Sequence, residues 1–166
     1  RNGHNIPVLG IGDNIYQFIH SDDLADAIIL SADSKIKTGI YNCGAEEYGS
    51  MRDVLENLCD YSNTGAIVKS VPYKFAKIGM DLSSVLGISP LGAYHSLMYG
   101  ESMYFDITKA KKELGWNPKF SNNEMFKESY DWYLNNREKI LFGKQKGSHH
   151  QSKVNEGILS LVKFFL

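Results

Sequence analysis

The stretch that decides the fold is Tyr16-Gln-Phe-Ile-His20-Ser-Asp22-Asp23-Leu-Ala-Asp-Ala27. Apolar and polar side chains alternate over residues 15–19, and this pattern predicts a strand. The apolar residues that then share one face at helical spacing are Leu24, Ala25, Ala27, Ile28 and Leu30. We expect Ser21 or Asp22 to cap this helix, because short polar side chains accept hydrogen bonds from the first amides.

The segments on either side extend this unit. A short strand bounded by glycines is expected at residues 39–44. A strand, a helix and a second strand of these lengths predict a βαβ unit with a parallel pair. Upstream, residues 6–9 form an apolar run ended by turn formers at 10–14, which indicates a hairpin with residues 15–19 or a strand that returns after a loop.

The rest of the chain is mixed and then helical. Ser50 is expected to begin a helix that closes at residues 63–65, and residues 66–71 are expected to form a strand. Further helices are predicted at 75–86, 108–114, 122–137 and 154–165, with a polar linker at 144–151. The fold class is therefore α/β, with a βαβ portion followed by a mixed and then mainly helical region.

Composition excludes several classes of partner. The chain has 166 residues and a formal net charge of -1, so its charge does not favour nucleic acid or an anionic membrane. No apolar run approaches the roughly 20 residues of a membrane span. Cys43 and Cys59 have no metal-ligand spacing, and two free thiols indicate a reducing, cytoplasmic location. His149 and His150 are interpreted as part of a solvated linker and not as a metal site.

Two local patterns could carry chemistry. The Gly10-Ile-Gly12 turn lacks the third glycine of a dinucleotide loop, and a strand is predicted after it in place of a helix. His20 with Asp22 or Asp23 could form an acid–base pair. The structural interpretation is favoured: both aspartates cap amides and favour the dipole of the predicted helix, and His20 is a polar core residue.

Four segments then resemble one family. Residues 16–27 are similar to its "F-x-H-V-x-D-L-A-x-A" segment, and residues 39–44 are similar to its "Y-N-x-G" strand. Residues 50–58 are similar to the helix that follows, and residues 105–118 are similar to its "D-x-x-K-A-x-x-x-L-G-W-x-P" signature. In this order and spacing, they resemble the C-terminal portion of extended short-chain dehydrogenases/reductases of the NAD-dependent epimerase/dehydratase type.

The resemblance also defines what this sequence lacks. Family members carry a Gly-x-x-Gly-x-x-Gly loop for the cofactor and a Tyr-x-x-x-Lys pair as general acid and base. Tyr73 and Lys77 have that spacing, but they follow the point where the family's catalytic segment should end. We therefore assign no catalytic and no cofactor-binding residue. NAD or NADP is implied for the full-length protein, and neither is expected to bind this chain alone.

The substrate side is the part that remains. Two arginines hold the diphosphate in the family's nucleotide-sugar enzymes, but the first position here is Tyr16 and residues 94–100 contain no arginine. Substrate contacts could instead come from Tyr16, Gln17, Tyr94, His95 and Tyr99. For Tyr94 and Tyr99, packing alone is an equal alternative.

The resemblance implies three regions: residues 1–49 as the edge βαβ portion of a Rossmann-like sheet, 50–143 as a small mixed, mainly helical substrate-binding domain, and 144–166 as linker and last helix. The predicted function is the substrate-binding part of an NAD(P)-dependent epimerase, dehydratase or reductase that acts on a nucleotide-sugar-like small molecule and is inactive alone. The alternative is a non-catalytic binding or regulatory module. A third hypothesis is a homo-oligomer that associates through the sheet edge and the tail.

Overall fold

The computed structural model describes residues 4–32, 38–74, 77–78, 98 and 100–142. Defined bounds are given for the following strands and helices: β1 (Ile6–Leu9), α1 (Ser21–Ser31), α2 (Met51–Ser62), β2 (Val68–Val71), α3 (Thr108–Leu114) and α4 (Asn122–Phe142). This confirms the predicted α/β class. The helices predicted at 75–86 and 154–165 and the linker at 144–151 lie wholly or largely outside the described residues.

The sheet consists of β1 and β2, which pair in parallel with Ile6 opposite Val68 and Leu9 opposite Val71. The predicted parallel pair of residues 15–19 and 39–44 is not formed. Residues 39–44 have no paired strand in the described part of the chain, and a strand needs a neighbour for its amides and carbonyls. The hairpin alternative is also wrong, because β1 pairs with β2 and not with residues 15–19.

Helix α2 begins and ends as its sequence predicts. The Ser50 hydroxyl accepts from the Asp53 N–H at 3.1 Å, and the Ser50 N–H donates to the Asp53 carboxylate at 3.3 Å. Asn63 ends the helix in the left-handed conformation, with φ of 47°. Val54 and Cys59 are buried on the inner side. These two caps position α2 between the preceding loop and β2.

The hydrophobic core lies where α1 packs against α3 and the residues that follow α3. Its buried members are Ala27, Ile107, Ala110, Leu114 and Trp116. The two alanines on facing helices let the backbones approach closely, and Trp116 fills the space beyond the end of α3. Gly115 allows this turn because its φ is +67°, a conformation that other residues rarely adopt.

The opposite side of α1 is open. Ile28 and Ile29 are 59% and 69% exposed there, whereas Leu24 and Leu30, three residues before and after Ala27, flank the inner side and are 40% and 37% exposed. Within the described residues, no helix is long and apolar enough to cross a membrane. The division into regions 1–49, 50–143 and 144–166 stays a prediction.

Candidate functional site

The candidate site is built on the extended segment of residues 15–19. Ile15 forms a single antiparallel bridge to Ser50, and Tyr16 forms a single parallel bridge to Met103. The Met103 N–H donates to the Ile15 carbonyl at 2.8 Å. The segment is therefore held between the start of α2 and the strand-like residues that precede α3.

One side of this segment forms an apolar groove. Side chains of an extended chain alternate between two sides, so Tyr16 and Phe18 face the same way. Their ring centroids lie 5.1 Å apart, and the Phe18 ring lies 5.3 Å from that of Phe126. The groove encloses about 290 Å³ and is lined by Pro7, Val8, Leu9, Asn14, Tyr16, Phe18, Met51 and Leu55.

Gln17 faces the other side and is buried. Its Nε2 donates to the Ala45 carbonyl at 2.6 Å, and its Oε1 accepts from the Phe105 N–H at 2.9 Å. The side-chain amide thus joins two loops whose backbones would otherwise lack these partners. Substrate binding by Gln17 stays a prediction, and any such contact would have to share an amide that is already engaged.

Two of the five predicted site residues, Tyr16 and Gln17, belong to the described part of the chain. They point to opposite sides of the extended segment, and Tyr16 lines the apolar groove. The other three, Tyr94, His95 and Tyr99, lie outside the described residues.

Sequence reasoning missed Asn122, which fixes the site segment to the start of α4. Asn122 is buried. Its Nδ2 donates to the Tyr16 carbonyl at 2.6 Å, and its Oδ1 accepts from the Phe18 N–H at 3.1 Å. A polar residue at a predicted helix start was the available signal, but its partners lie over a hundred residues away in sequence.

The N-cap of α1 is His20, which corrects the predicted cap at Ser21 or Asp22. His20 Nδ1 accepts from the Asp22 N–H at 3.2 Å, and its Nε2 lies 3.1 Å from Glu128 Oε2. The ring stacks on Phe120 with centroids 3.9 Å apart. The helix begins at Ser21, one residue earlier than a Ser21 cap predicts and two earlier than an Asp22 cap predicts, so the His20 imidazole accepts from the first-turn amide in place of a hydroxyl or carboxylate. Both ring nitrogens are therefore engaged in structural contacts.

Asp23 also differs from its prediction as a cap for α1. Asp23 is 1% exposed. Its carboxylate accepts hydrogen bonds from the Lys119 and Phe120 N–H groups at 3.0–3.1 Å. The Trp116 Nε1–H donates to the Asp23 carbonyl at 2.8 Å. These contacts, which we name the Asp23–Trp116 latch, fasten α1 to the loop after α3. They also connect residues 16–27 with residues 105–118, two of the segments that resemble the family, and this gives a structural reason for the spacing between them.

The glycine turn after β1 does not fit a dinucleotide. Gly10 and Gly12 have φ of +62° and +77°, so the turn uses their conformational freedom. A Cβ at Gly12 would lie 2.7 Å from a methyl of Val8, so the space beside it is already filled by side chain. The extended residues 15–19 follow the turn. The first amides of α2 reach the turn but are already engaged by its carbonyls, since the Met51 N–H donates to Asn14 O and the Arg52 N–H donates to Gly12 O, both at 2.9 Å.

The cysteines and acidic groups do not form a metal centre within the described residues. Cys43 and Cys59 are free, and burial raises the pKa of each thiol. They are therefore protonated at neutral pH and are poor nucleophiles and ligands.

A parallel strand pair connected through helices, with a substrate-sized groove beside it, is typical of Rossmann-like α/β proteins. Two solved structures share this fold. One is dTDP-glucose 4,6-dehydratase from Bacillus anthracis, with a TM-score of 0.57, 19% identity, and coverage of 82% of this chain and 36% of that one. The other is UDP-glucuronic acid 4-epimerase from Bacillus cereus, with a TM-score of 0.54, 17% identity, and coverage of 79% and 34%.

Sequence comparison then shows which family the chain resembles. Residues 1–44 match the NAD-dependent epimerase/dehydratase family. The uncharacterized protein y4nG of Sinorhizobium fredii is 48% identical over 99% of this chain and 41% of its own length. GDP-L-fucose synthase 1 of Arabidopsis thaliana is 30% identical over 79% of this chain and 33% of its own length. The predicted resemblance to this family is confirmed, and the chain spans 41% and 33% of the length of these two relatives.

Proposed function

We propose that this chain provides the substrate-binding side of an NAD(P)-dependent epimerase, dehydratase or reductase acting on a nucleotide-sugar-like substrate in the cytoplasm. The observation that carries this proposal is the apolar groove beside Tyr16. The resemblance aligns Tyr16 with a residue that contacts substrate in the family. Two relatives whose names state an activity, GDP-L-fucose synthase and UDP-glucose 4-epimerase, are named for nucleotide sugars.

The groove suits the flat, partly apolar end of such a substrate. Tyr16 and Phe18 present aromatic rings, and Met51 and Leu55 of α2 also line the groove. Stacking of a nucleobase on an aromatic ring contributes about 1–3 kcal/mol per base. We therefore assign the base, or an equivalent planar group, to this groove.

The diphosphate is expected to contribute less than in an enzyme with two phosphate-binding arginines. Arg52 is the arginine nearest to the groove in sequence, in the first turn of α2. Its guanidinium is engaged with the Ile11 carbonyl at 2.5 Å, Glu56 at 2.8 Å and Ser70 at 2.7 Å. Because each of its three nitrogens already donates to a protein acceptor and its charge is paired with Glu56, binding should depend only weakly on salt concentration.

The cofactor and the acid–base pair are proposed to come from elsewhere in the longer protein. A bound nicotinamide would supply hydride transfer. The described residues contribute no dinucleotide loop, so their part in this proposal is to bind and orient the substrate. The chain alone is then expected to be inactive.

Isothermal titration calorimetry of the 166-residue chain with UDP-glucose and with GDP-L-fucose tests this proposal. We expect one of them to bind, and Tyr16→Ala to weaken that binding about tenfold through loss of stacking. Trp132→Ala is the control, because this exposed ring on α4 lies outside the groove. Met51→Ala provides a second groove variant if Tyr16→Ala unfolds. Failure of both ligands to bind, or equal binding by all variants, would contradict the proposal.

A further inference from the structure

A second pocket lies on the Gln17 side of the site segment, opposite the apolar groove. It encloses about 300 Å³ between the loop after residue 44 and the residues that precede α3. Three of its lining residues are aromatic, namely Tyr48, Tyr104 and Phe105. We call it the aromatic pocket.

The aromatic rings of this pocket are unusually open to solvent. Tyr104 is 55% exposed, Phe105 is 47% exposed and Tyr48 is 37% exposed. The Tyr48 and Tyr104 rings stack on each other with centroids 5.9 Å apart and an angle of 26°. Stacking holds both rings in place without covering them. A cluster of exposed, ordered rings beside a cavity is typical of a ligand site.

The polar lining favours a cation. Glu46 and Asp106 supply carboxylates, and the described lining contains no lysine, arginine or histidine. The amide of Gln17 is already engaged with two backbone partners. The pocket therefore offers carboxylate oxygens and the negative faces of rings, which are groups that attract cations.

Asp106 is the carboxylate best placed to meet a ligand. Lys111 forms an ion pair with Glu46, so the negative charge of the Glu46 carboxylate is partly neutralised. At Asp106, hydrogen bonds from the Thr108 side chain and backbone, together with the nearby Lys112 charge, lower the pKa below its ordinary value. Asp106 is consequently ionised at neutral pH while its Oδ1 accepts from the Thr108 N–H at 2.8 Å.

We propose that the aromatic pocket binds a small organic ammonium group, held over the Tyr104 ring and beside the Asp106 carboxylate. Aromatic rings combined with a carboxylate are the groups that recognise alkylated ammonium ions. This site is separate from the groove beside Tyr16, since adjacent residues of the extended segment face opposite ways. The inference is independent of the proposed enzymatic function.

Nuclear magnetic resonance titration of the 166-residue chain with choline tests this site. The matched ligand is the uncharged carbon isostere of choline, in which a tert-butyl group replaces trimethylammonium. We expect choline to shift the backbone amide signals of Tyr48 and Tyr104, and the isostere to shift them far less. Tyr104→Ala should weaken choline binding about three- to fivefold, and Tyr104→Phe, which keeps the ring, should bind nearly as well as the unaltered chain.

Two variants separate charge from folding. Asp106→Asn keeps an acceptor for the Thr108 amide, so it should fold normally and bind choline more weakly. Trp132→Ala removes an exposed ring outside the pocket and should bind choline unchanged. Equal shifts by choline and its isostere, or no shift at Tyr48 and Tyr104, would overturn the proposal.

Discussion

The two sides of α1 differ sharply. On the inner side, Asp23 is 1% exposed and Ala27 is 4% exposed, and both are covered by the residues around Trp116. On the outer side, Ile28 and Ile29 are 59% and 69% exposed. A helix that is apolar on more than one side is built to lie between two layers. The inner layer is present in the described chain, and the open outer side supports the proposal that this chain is one portion of a larger α/β enzyme.

Removing the indole at the centre of the inner side should have the largest effect. We expect Trp116→Ala to lower the free energy of unfolding by about 3–5 kcal/mol, because it leaves a cavity and removes a hydrogen bond to Asp23. Urea denaturation measures this change. Trp116→Phe should cost clearly less, since it keeps most of the buried volume. A loss below about 1 kcal/mol for Trp116→Ala would mean that α1 is not held by this core.

The contribution of the Asp23 charge to stability can be separated from the general effect of acidic residues at the start of α1. Asp23→Asn replaces one of the two accepting carboxylate oxygens with an amide NH2 group, which cannot accept from a backbone N–H, so we expect a loss of about 1–3 kcal/mol. Asp22→Asn is the matched control at an exposed neighbouring position, and it should change stability by less than about 0.5 kcal/mol. Equal losses from both variants, in the same urea experiment, would assign the effect to the helix dipole.

The outer side should respond much less. Ile29→Ser should alter the free energy of unfolding of this chain by no more than about 0.5 kcal/mol, because the side chain is already exposed. The same substitution in a longer protein that contains this segment should cost more if the outer side is covered there. A core-sized loss in the 166-residue chain would show that the chain itself, through its own residues or a second copy, covers this side.

The smallest effect concerns acid stability near the start of α4. Hydrogen bonds from the Ser121 backbone and hydroxyl lower the pKa of Glu124 in the folded chain. Its stabilising contribution is therefore complete above the ordinary pKa of glutamate and is lost as the pH falls through the lowered folded value. Glu124→Gln should flatten the decline in urea midpoint between about pH 6 and about pH 3. An unchanged pH profile would contradict this assignment.

Elements with local signals were predicted well from the sequence. The bounds of α3 match the prediction. Helix α2 is capped by Ser50 and ends at Asn63, as its sequence predicted. These features depend on residues within one or two helical turns. The α/β class and the family followed from the spacing of four such segments.

Features that depend on distant partners were not predicted. Strand pairing is decided by the neighbour, so β1 pairs with β2 while residues 39–44 remain without a paired strand in the described part of the chain. The Gln17 side chain likewise forms hydrogen bonds with the backbones of Ala45 and Phe105. These residues are distant in sequence, and no local pattern connects them to Gln17. Tyr16 was identified through the family resemblance, whereas the aromatic pocket became visible only in three dimensions.

The most direct test of the central claim is a paired calorimetric titration of the purified chain with NAD and with the nucleotide sugar that binds it. If the chain is the substrate side of the enzyme, the nucleotide sugar binds in a Tyr16-dependent manner and NAD binds far more weakly. No NADH forms when both are present. NAD binding of equal strength, or NADH formation by this chain alone, would contradict the account.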